Sequence, residues 1–333
     1  MLTKPCILAT DRAKNAAFLA PFALIGEKVA FKVLKVNKTF AFCKLLRVLE
    51  PNKNRVEPLC PYFLKCGGCQ LQHISYKEQL SLKKKTVENC LRKIAFLDID
   101  CFDVFPSNNE YYYRNKLILP VRQTKNGVQI GFFKENSHNI CEIDNCVIEN
   151  KFLSPLFKII KEYIIKANVS AYDEEKGKGL IRHIVAKNCD NKLLLTIVIN
   201  GNSLPKLEIL VDLLNREYKD FSIIQNVNKI NNNVVLGEEF KVLYGSGVYY
   251  KNEFSIKYPV VSESFMQVND YIKEKLYLDV LAKINPNNNS TVIDAYSGAG
   301  VMTAILAKNA KKVIGIEIVK EAVDSANQLK NSN

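Results

Sequence analysis

The chain has 333 residues, which is too long for one ordinary domain, and its 47% of apolar residues is enough to build packed cores. Its longest apolar run, residues 16–26, is well short of the roughly 20 residues that cross a membrane, and the charged residues on both sides make it a poor signal peptide. We therefore expect a cytoplasmic protein, in which the ten cysteines are metal ligands or buried thiols rather than disulfides. Lys and Arg outnumber Asp and Glu by 47 to 34, which favours RNA or DNA as a partner, although a basic housekeeping protein from a lysine-rich genome would show the same excess.

Residues 24–57 predict the short strands of a small basic β-barrel. In residues 28–33 apolar and basic side chains alternate, so that the lysines lie on one face. An ordinary β-hairpin with a solvated lysine face is the alternative. Residues 75–96 then have apolar side chains at 80, 87, 91 and 94, a spacing that predicts a helix with a lysine-rich outer face.

The central part of the chain predicts a mixed α+β region. Strand-like stretches occur in residues 111–150, and helices are predicted at about 152–167 and 205–218. The segments GLIRHIVAKN and KLLLTIVIN predict two strands paired in a hairpin. SIIQNVN and VVLGEEF predict two further strands.

From Thr291 the pattern changes to that of a parallel, doubly wound sheet. A short apolar strand, TVIDAY, is followed by a tight turn, SGAG, and by a helix, and then KKVIGIE and IVKEAVDSANQLKN repeat the strand and the helix. Two strands are too few for a stable sheet of this kind, because parallel strands need neighbours and cover on both faces. The sequence therefore predicts the start of a Rossmann-like domain that is truncated.

The stretch CPYFLKCGGCQLQH places Cys60, Cys66 and Cys69 within ten residues. Zinc sites usually take their ligands as two pairs, and no second pair lies nearby. An iron–sulfur cubane takes four cysteines, often three clustered and one distant, and Cys141 and Cys146 are the distant candidates. The spacing therefore favours an iron–sulfur cluster, with zinc and the absence of any metal as alternatives.

The segment DAYSGAG joins the first strand and the first helix of the C-terminal pattern. Gly298 and Gly300 allow the backbone to approach a nucleotide, and Glu317, which ends the next strand, is placed to bind ribose hydroxyls. A dinucleotide site would need glycine at position 303, where this chain has threonine. The acid just before the turn, Asp294, is instead typical of S-adenosylmethionine (SAM) sites, because SAM has an ammonium group and a ribose but no pyrophosphate. An ordinary strand–turn–helix is the alternative.

Together these stretches resemble the RNA uracil-5-methyltransferase family, and in particular its ribosomal-RNA members, which have an N-terminal TRAM domain and an iron–sulfur cluster. The likeness extends over nearly the whole chain. The matching segments are ALIGEKV, CPYFLKCGGCQLQHISY, YRNK, SHNICEIDNCVI, LIRHIV, SESFMQVN, DAYSGAGVMT and IGIEIVKEAVDSAN.

The resemblance implies an α+β multidomain fold. Its parts are an OB-like TRAM β-barrel at residues 1–58, a central α+β domain with the iron–sulfur site at 59–262, and the N-terminal part of a SAM-binding methyltransferase domain at 263–333. The helix at about 76–96 is expected to pack on the methyltransferase domain. The protein is expected to be cytoplasmic, to have no membrane contact and to be a monomer when full length.

Carried over residue by residue, the resemblance assigns three sets of residues. The [4Fe–4S] ligands are Cys60, Cys66, Cys69 and Cys146, the last chosen over Cys141 because the family's fourth cysteine precedes a short apolar pair. The cofactor contacts are Gln267, Tyr296, Glu317, Asp294, Gly298 and Gly300. The basic positions expected to face RNA are Arg114, Lys116, Arg182 and His183.

The implied function is SAM-dependent methylation of uridine C5 in RNA, with 23S rRNA as the substrate. In the family a cysteine thiolate adds to C6, C5 takes the methyl group, and a glutamate removes the C5 proton. Family members carry both residues in a segment of roughly 100 residues beyond the last helix of this chain, so we expect no catalytic residue before Asn333. A non-catalytic iron–sulfur RNA-binding relic and a zinc-binding ribosome-associated protein are the alternatives. Met266, where the family has phenylalanine, and Val301, where it has a polar residue, are departures near the cofactor segments.

Overall fold

The computed structural model describes residues 6–11, 16–125 and 127–332, and it divides them into two compact units. The first unit contains the described residues up to Pro106 together with residues 133–139. The second contains residues 107–132 and the described residues from 140 onward. The domain boundaries expected from the sequence stay a prediction.

The first unit contains a four-stranded sheet and one helix. Its strands are β1 (Cys6–Asp11), β2 (Ala16–Pro21), β3 (Lys28–Val36) and β4 (Phe40–Glu50), in the order β1-β2-β4-β3. The pairs β1–β2 and β3–β4 are antiparallel, and β2–β4 is parallel. The strands predicted in residues 24–57 are confirmed, but this order gives no support for a closed barrel. The small side chains Ala20, Ala23, Ala41 and Cys43 form the core of the sheet.

The predicted lysine-rich helix is confirmed as α1 (Tyr76–Ile94). Glu78 in its first turn and Arg92 and Lys93 in its last turn complement the partial charges of the helix ends. No residue of α1 is buried within the described structure. Its stability therefore depends on partly buried apolar side chains and on its charges.

A seven-stranded mixed sheet forms the centre of the second unit. Its strands are β5 (Lys116–Thr124), β6 (Gly127–Phe133), β7 (Ile140–Glu142), β8 (Ile181–Asn188), β9 (Leu193–Ile199), β10 (Phe221–Val227) and β11 (Glu239–Tyr244), in the order β11-β10-β9-β8-β5-β6-β7. The predicted β8–β9 hairpin is confirmed as an antiparallel pair, whereas β9 and β10 are parallel because α3 (Leu207–Leu214) lies between them in the chain. Every residue of β8 and β9 is buried, so these strands form the centre of the sheet.

Two amphipathic helices supply apolar side chains to the core of the second unit. They are α2 (Leu156–Ala167), which a 3₁₀ turn at Lys151–Leu153 precedes, and α3. The helix predicted at about 152–167 is thus confirmed, and α3 is shorter than the predicted 205–218. The buried Tyr163 of α2 donates its hydroxyl to the carbonyl of Pro205 at 2.5 Å, which links α2 to the loop before α3.

The C-terminal part of the second unit has the predicted β-α-β-α order. It follows a hairpin of β12 (Tyr249–Glu253) and β13 (Ile256–Val260) and contains α4 (Asp270–Ile284), β14 (Thr291–Ala295), α5 (Val301–Ala307), β15 (Lys312–Ile316) and α6 (Lys320–Ser332). Strands β14 and β15 are parallel, as the sequence predicted. Met266, Ile305 and Leu329 share an apolar cluster with β12 and β13, so α5 and α6 pack against this hairpin.

In the part of the chain that the structure describes, no helix combines the length and the apolar character that crossing a membrane requires.

The turn before β8 contains two glycines, and substituting them tests how closely the backbone of this turn packs against Ala171. Gly177 and Gly179 both have positive φ, +63° and +104°. A Cβ at position 179 would lie 2.0 Å from the carbonyl oxygen of Ala171, whereas one at 177 would meet nothing within 4 Å. We expect Gly177→Ala to lower the free energy of unfolding by about 1 kcal/mol through backbone strain alone, and Gly179→Ala to lower it by roughly 2 kcal/mol. Urea unfolding of both variants measures the difference, and equal losses would show that the backbone at Ala171 yields at no cost.

Candidate cofactor site

The glycine turn between β14 and α5 is built from residues in left-handed backbone conformations. Tyr296, Gly298 and Gly300 have φ of +63°, +56° and +81°. Position 300 also requires glycine for steric reasons, since a Cβ there would lie 2.8 Å from the Cβ of Ala326 in α6. A bulky residue such as tyrosine with positive φ is strained, and strain of this kind concentrates at functional sites. The turn is therefore a fixed structure at the carboxyl end of β14, where ligands bind in open parallel sheets.

Glu317 ties the end of β15 to the glycine turn. Its Oε2 accepts a hydrogen bond from the backbone N–H of Gly298 at 2.9 Å, and its Oε1 accepts from Ile318 at 2.8 Å and Val319 at 2.9 Å. These backbone donors stabilise the carboxylate and lower the pKa of Glu317 below its ordinary value. An ionised carboxylate thus lies beside the turn, with accepting capacity left for a ligand's hydroxyl groups.

Asp294 and Thr303 connect β14 to α5 beneath the turn. The hydroxyl of Thr303 donates to Oδ2 of Asp294 at 2.6 Å. In the sequence, Thr303 indicated only that the turn is not a dinucleotide site, which would have glycine at this position. Its hydrogen bond to Asp294 was not predicted. The pair holds the Asp294 carboxylate in one orientation, with Oδ1 left for other donors.

Gln267 lies on the segment before α4, which packs next to α5. Met266 is buried in the same apolar cluster as Ile305 of α5. Asn115 holds the segment from the other side, since its Nδ2 donates to the carbonyl of Gln267 at 3.0 Å and its backbone N–H donates to Val268 at 3.0 Å. The structure therefore positions the Gln267 segment through its backbone and leaves the Gln267 side chain partly exposed.

A cavity of about 410 Å³ opens between α5, β15 and α6. Gly300 and Glu317 line it together with apolar side chains such as Val313, Ala326 and Leu329. Its volume is within the range of small-molecule sites. Tyr296, which follows β14 at the start of the turn, is 92% exposed.

Of the four basic residues expected to face RNA, Arg114 and Lys116 are partly exposed. Arg114 donates its Nε to Oε1 of Glu149 at 3.1 Å and keeps 34% of its side chain exposed. Burial raises the pKa of Glu149 to about 7 in spite of Arg114 beside it. Lys116 is half-buried, and burial followed by the charge of Arg114 lowers its pKa. Both side chains thus keep part of their surface exposed.

Arg182 and His183 do not face solvent, which corrects the expectation that they contact RNA. Arg182 is 3% exposed, donates to the carbonyls of Asn228 at 2.7 Å and Ile230 at 2.9 Å, and lies 4.7 Å from the ring centre of Tyr172. Burial, followed by the charges of Arg122 and Arg182, lowers the pKa of His183 to about 3. Both residues lie in the fully buried strand β8, so they are structural.

The predicted iron–sulfur ligands find no support in the structure. Cys60, Cys66 and Cys69 are partly buried in the first unit, and Cys146 is buried in the second. Among the described residues, no three His, Cys, Asp or Glu side chains are grouped so that they could hold a metal ion. The described residues therefore give no support for a cluster, and the four cysteine ligands stay a prediction.

A strand, a glycine turn, a helix and an acid at the end of the next parallel strand define a methyltransferase-like α/β site for a nucleoside cofactor. Comparison with known proteins gives the family. The family model described as tRNA (Uracil-5-)-methyltransferase matches residues 75–333, so the chain belongs to this family of SAM-dependent RNA (uracil-5-)-methyltransferases. An uncharacterized RNA methyltransferase of Clostridium tetani is 40% identical over 95% of this chain and 69% of its own length. A similar protein of Clostridium acetobutylicum is 39% identical over 91% of this chain and 67% of its own length.

The fold also matches a solved structure, the tRNA (uracil-54, C5)-methyltransferase of Pyrococcus abyssi in complex with S-adenosylhomocysteine (SAH). The TM-score is 0.75 at 24% identity, over 95% of this chain and 72% of that chain. The match over 95% of this chain contradicts the expectation that the fold is truncated. The position of Asn333 carries no conclusion about further segments.

Proposed function

We propose that this chain binds SAM at the glycine turn and uses it to methylate C5 of uridine in RNA, with 23S rRNA as the substrate. The observation that carries the proposal is the Glu317 carboxylate, which lies beside the backbone N–H of Gly298 at the carboxyl ends of two parallel strands. A carboxylate at this place accepts hydrogen bonds from the two hydroxyls of a ribose. The family to which the chain belongs uses this cofactor, and the resemblance to its ribosomal-RNA members favours 23S rRNA.

Different residues of the site bind the ribose and the amino-acid end of the cofactor. Glu317 holds the ribose, and the exposed ring of Tyr296 covers it from the solvent side. Asp294, oriented by Thr303, and the side chain of Gln267 are the polar groups that remain for the amino-acid end. When bound, SAM supplies an electrophilic methyl group on its sulfonium. No residue up to Asn333 is assigned as the nucleophile or the base.

RNA contacts are proposed at Arg114 and Lys116. Both belong to the segment that pairs with the Gln267 segment, because Arg114 forms a β-bridge with Asn269. The backbone of Arg114 therefore lies one strand spacing, ~4.8 Å, from that of Asn269. The net charge of +13 adds a general attraction for RNA that falls with salt.

The experiment that tests the function combines binding and transfer. Calorimetric titration with SAH is followed by incubation with radiolabelled SAM and either unmodified 23S rRNA or unmodified tRNA. Binding of SAH is expected. Formation of 5-methyluridine in 23S rRNA would show that this chain also carries the nucleophile and the base, roles to which no residue is assigned. Radiolabel in tRNA alone would show that the substrate is tRNA and not 23S rRNA. Binding without transfer to either RNA would favour the non-catalytic relic, and no binding would reject the proposal.

The four cysteines stay a proposal that only their spacing and the family resemblance support. If Cys60, Cys66, Cys69 and Cys146 bind a [4Fe–4S] cluster, protein purified without oxygen will contain about four iron and four sulfide per chain. Cys66→Ser should then lower both counts, whereas Cys90→Ser, at an exposed cysteine of α1, should leave them unchanged. About one zinc per chain and no sulfide would favour the zinc-binding alternative.

A further inference from the structure

Lys187 of β8 is a cation in the centre of the second unit. It is 1% exposed, and none of the ion pairs found among the described residues includes it. A buried ammonium without a carboxylate partner is destabilising unless its hydrogen bonds are satisfied, so its presence calls for an explanation. The direct partner of Lys187 on β5 is another lysine, Lys116, which adds repulsion.

All the donors of Lys187 are used by one turn. Its Nζ lies 2.6 Å from the carbonyl oxygen of Val261, 2.6 Å from that of Ser264 and 3.4 Å from the hydroxyl oxygen of Ser264. An ammonium group has three N–H donors, so none remains for RNA or for a cofactor. The hydroxyl of Ser264 also donates back to the carbonyl of Val261 at 2.9 Å, which closes the turn.

This turn leads directly into the proposed cofactor segment. We call residues 261–269 the cofactor loop. Besides Lys187, the central sheet holds the loop through Thr196, whose hydroxyl donates to Ser262 at 2.8 Å, and through the bonds from Asn115 to Gln267 and Val268. Between these anchors Met266 is buried, and Phe265 is 77% exposed. The loop is therefore held at Ser262 by Thr196 and at Gln267 and Val268 by Asn115.

We propose that Lys187 is a positioning residue for the cofactor, because its ammonium group fixes the turn of the cofactor loop and with it the place of Gln267. This inference rests on the proposed SAM site and deepens it. The charge of Lys187 acts through the two backbone carbonyls and not on the cofactor. Its burial without a carboxylate then has a reason, since a counter-ion would compete with the carbonyls for its donors.

The charge state of Lys187 adds a pH dependence to this arrangement. Burial, followed by the charge of Lys116, lowers the pKa of Lys187 to about 7, while Cys189 and Glu263 act in the opposite direction. Above that pH the neutral amine has two N–H donors and a lone pair for three acceptors, so one contact to the turn is lost. The affinity for SAH is therefore expected to fall as the pH rises from 6 to 8.5.

The test uses Lys187→Met, which keeps the length of the side chain and removes its charge, with Lys158→Met at an exposed lysine of α2 as the matched control. The dissociation constant for SAH is measured by calorimetry from pH 6 to 8.5, together with the thermal unfolding temperature and amide hydrogen exchange. For Lys187→Met we expect SAH binding at least about tenfold weaker and independent of pH across this range. We also expect faster exchange confined to residues 261–269 and an unfolding temperature within about 5 °C of the wild type.

Several results would overturn the inference. An unchanged SAH affinity in folded Lys187→Met would show that the loop is positioned without the ammonium group. Faster exchange throughout the second unit, with a parallel loss of thermal stability, would make Lys187 a purely structural residue. Wild-type protein that fails to bind SAH would reject the proposed function and the inference with it, so the two failures are distinguishable.

Discussion

Glu317→Gln is expected to weaken SAH binding roughly 100-fold or more, because the amide lacks the charge and one of the accepting oxygens of the carboxylate. The structure makes this substitution informative. The carboxylate now accepts from the N–H groups of Gly298, Ile318 and Val319, so every backbone donor around it points at an oxygen. The NH₂ group of glutamine would face one of these donors, and the orientation of the side chain would be lost together with its charge.

The control for this prediction is Asp324→Asn in α6. Asp324 is an exposed acidic residue of α6, the helix that follows Glu317 in the chain. It pairs with Lys320 at 2.9 Å and does not line the turn. Calorimetry with SAH should give wild-type affinity for Asp324→Asn, and both variants should unfold near the wild-type temperature. A Glu317→Gln variant that binds SAH within threefold of the wild type would show that the ribose lies elsewhere.

Features that depend on local sequence could be predicted well. The turn SGAG follows an apolar strand and precedes a helix, and its glycines have the positive φ that such a turn requires. The β8–β9 hairpin and α1 were found for the same reason, because a hairpin and an amphipathic helix are each encoded in one continuous segment.

The positions of charged side chains could not be predicted in the same way. Arg182 and His183 were expected at the surface, and nothing drew attention to Lys187, yet all three lie in the buried strand β8. Carbonyls of distant segments accept from Arg182 and Lys187, such as those of Asn228 and Val261. Burial keeps His183 neutral instead, and its Nδ1 has no hydrogen-bond partner among the described residues. Single-sequence patterns do not show these partners, so a buried cation and a surface cation look alike.

The order of the central sheet was hidden for a related reason. Strand β5 pairs with β8, which is more than fifty residues away, and not only with its neighbour β6. Period-two alternation identifies a strand but not its partner. The same limit applies to the first unit, where the strands predicted in residues 24–57 are present and their closure into a barrel stays a prediction.

Glu253→Gln is expected to lower the free energy of unfolding by about 3 kcal/mol, because it removes a charge that two buried lysines share. Lys273 is 6% exposed and lies 2.6 Å from Glu253, and Lys251 is 2% exposed and lies 3.6 Å from it. The hydroxyl of Tyr258 donates to the same carboxylate at 2.6 Å. Asp270 contacts both lysines as well but is 45% exposed, so Glu253 is the better shielded partner.

The pH dependence of this loss follows from the pKa of Glu253. Burial raises that pKa, but the hydrogen bonds from Lys273 and Tyr258 outweigh burial and hold it below its ordinary value of 4.5. The ionised carboxylate therefore stabilises the fold above pH 4.5, and this stabilisation disappears as the pH falls below 4.5 through the lower folded-state pKa. Urea unfolding of wild type and Glu253→Gln should thus differ by the full amount at pH 7 and converge toward pH 3.

Glu274→Gln is the matched control for Glu253→Gln, since Glu274 is an exposed acidic residue of α4, the helix that contains Lys273. Its unfolding free energy should stay within about 0.5 kcal/mol of the wild type at both pH values. If Glu253→Gln were equally harmless at pH 7, Asp270 alone would be sufficient to balance Lys251 and Lys273. The hairpin of β12 and β13 would then be held to α4 by apolar packing, and the cofactor loop that joins them would owe its place to Met266, Asn115 and Lys187 rather than to this ionic network.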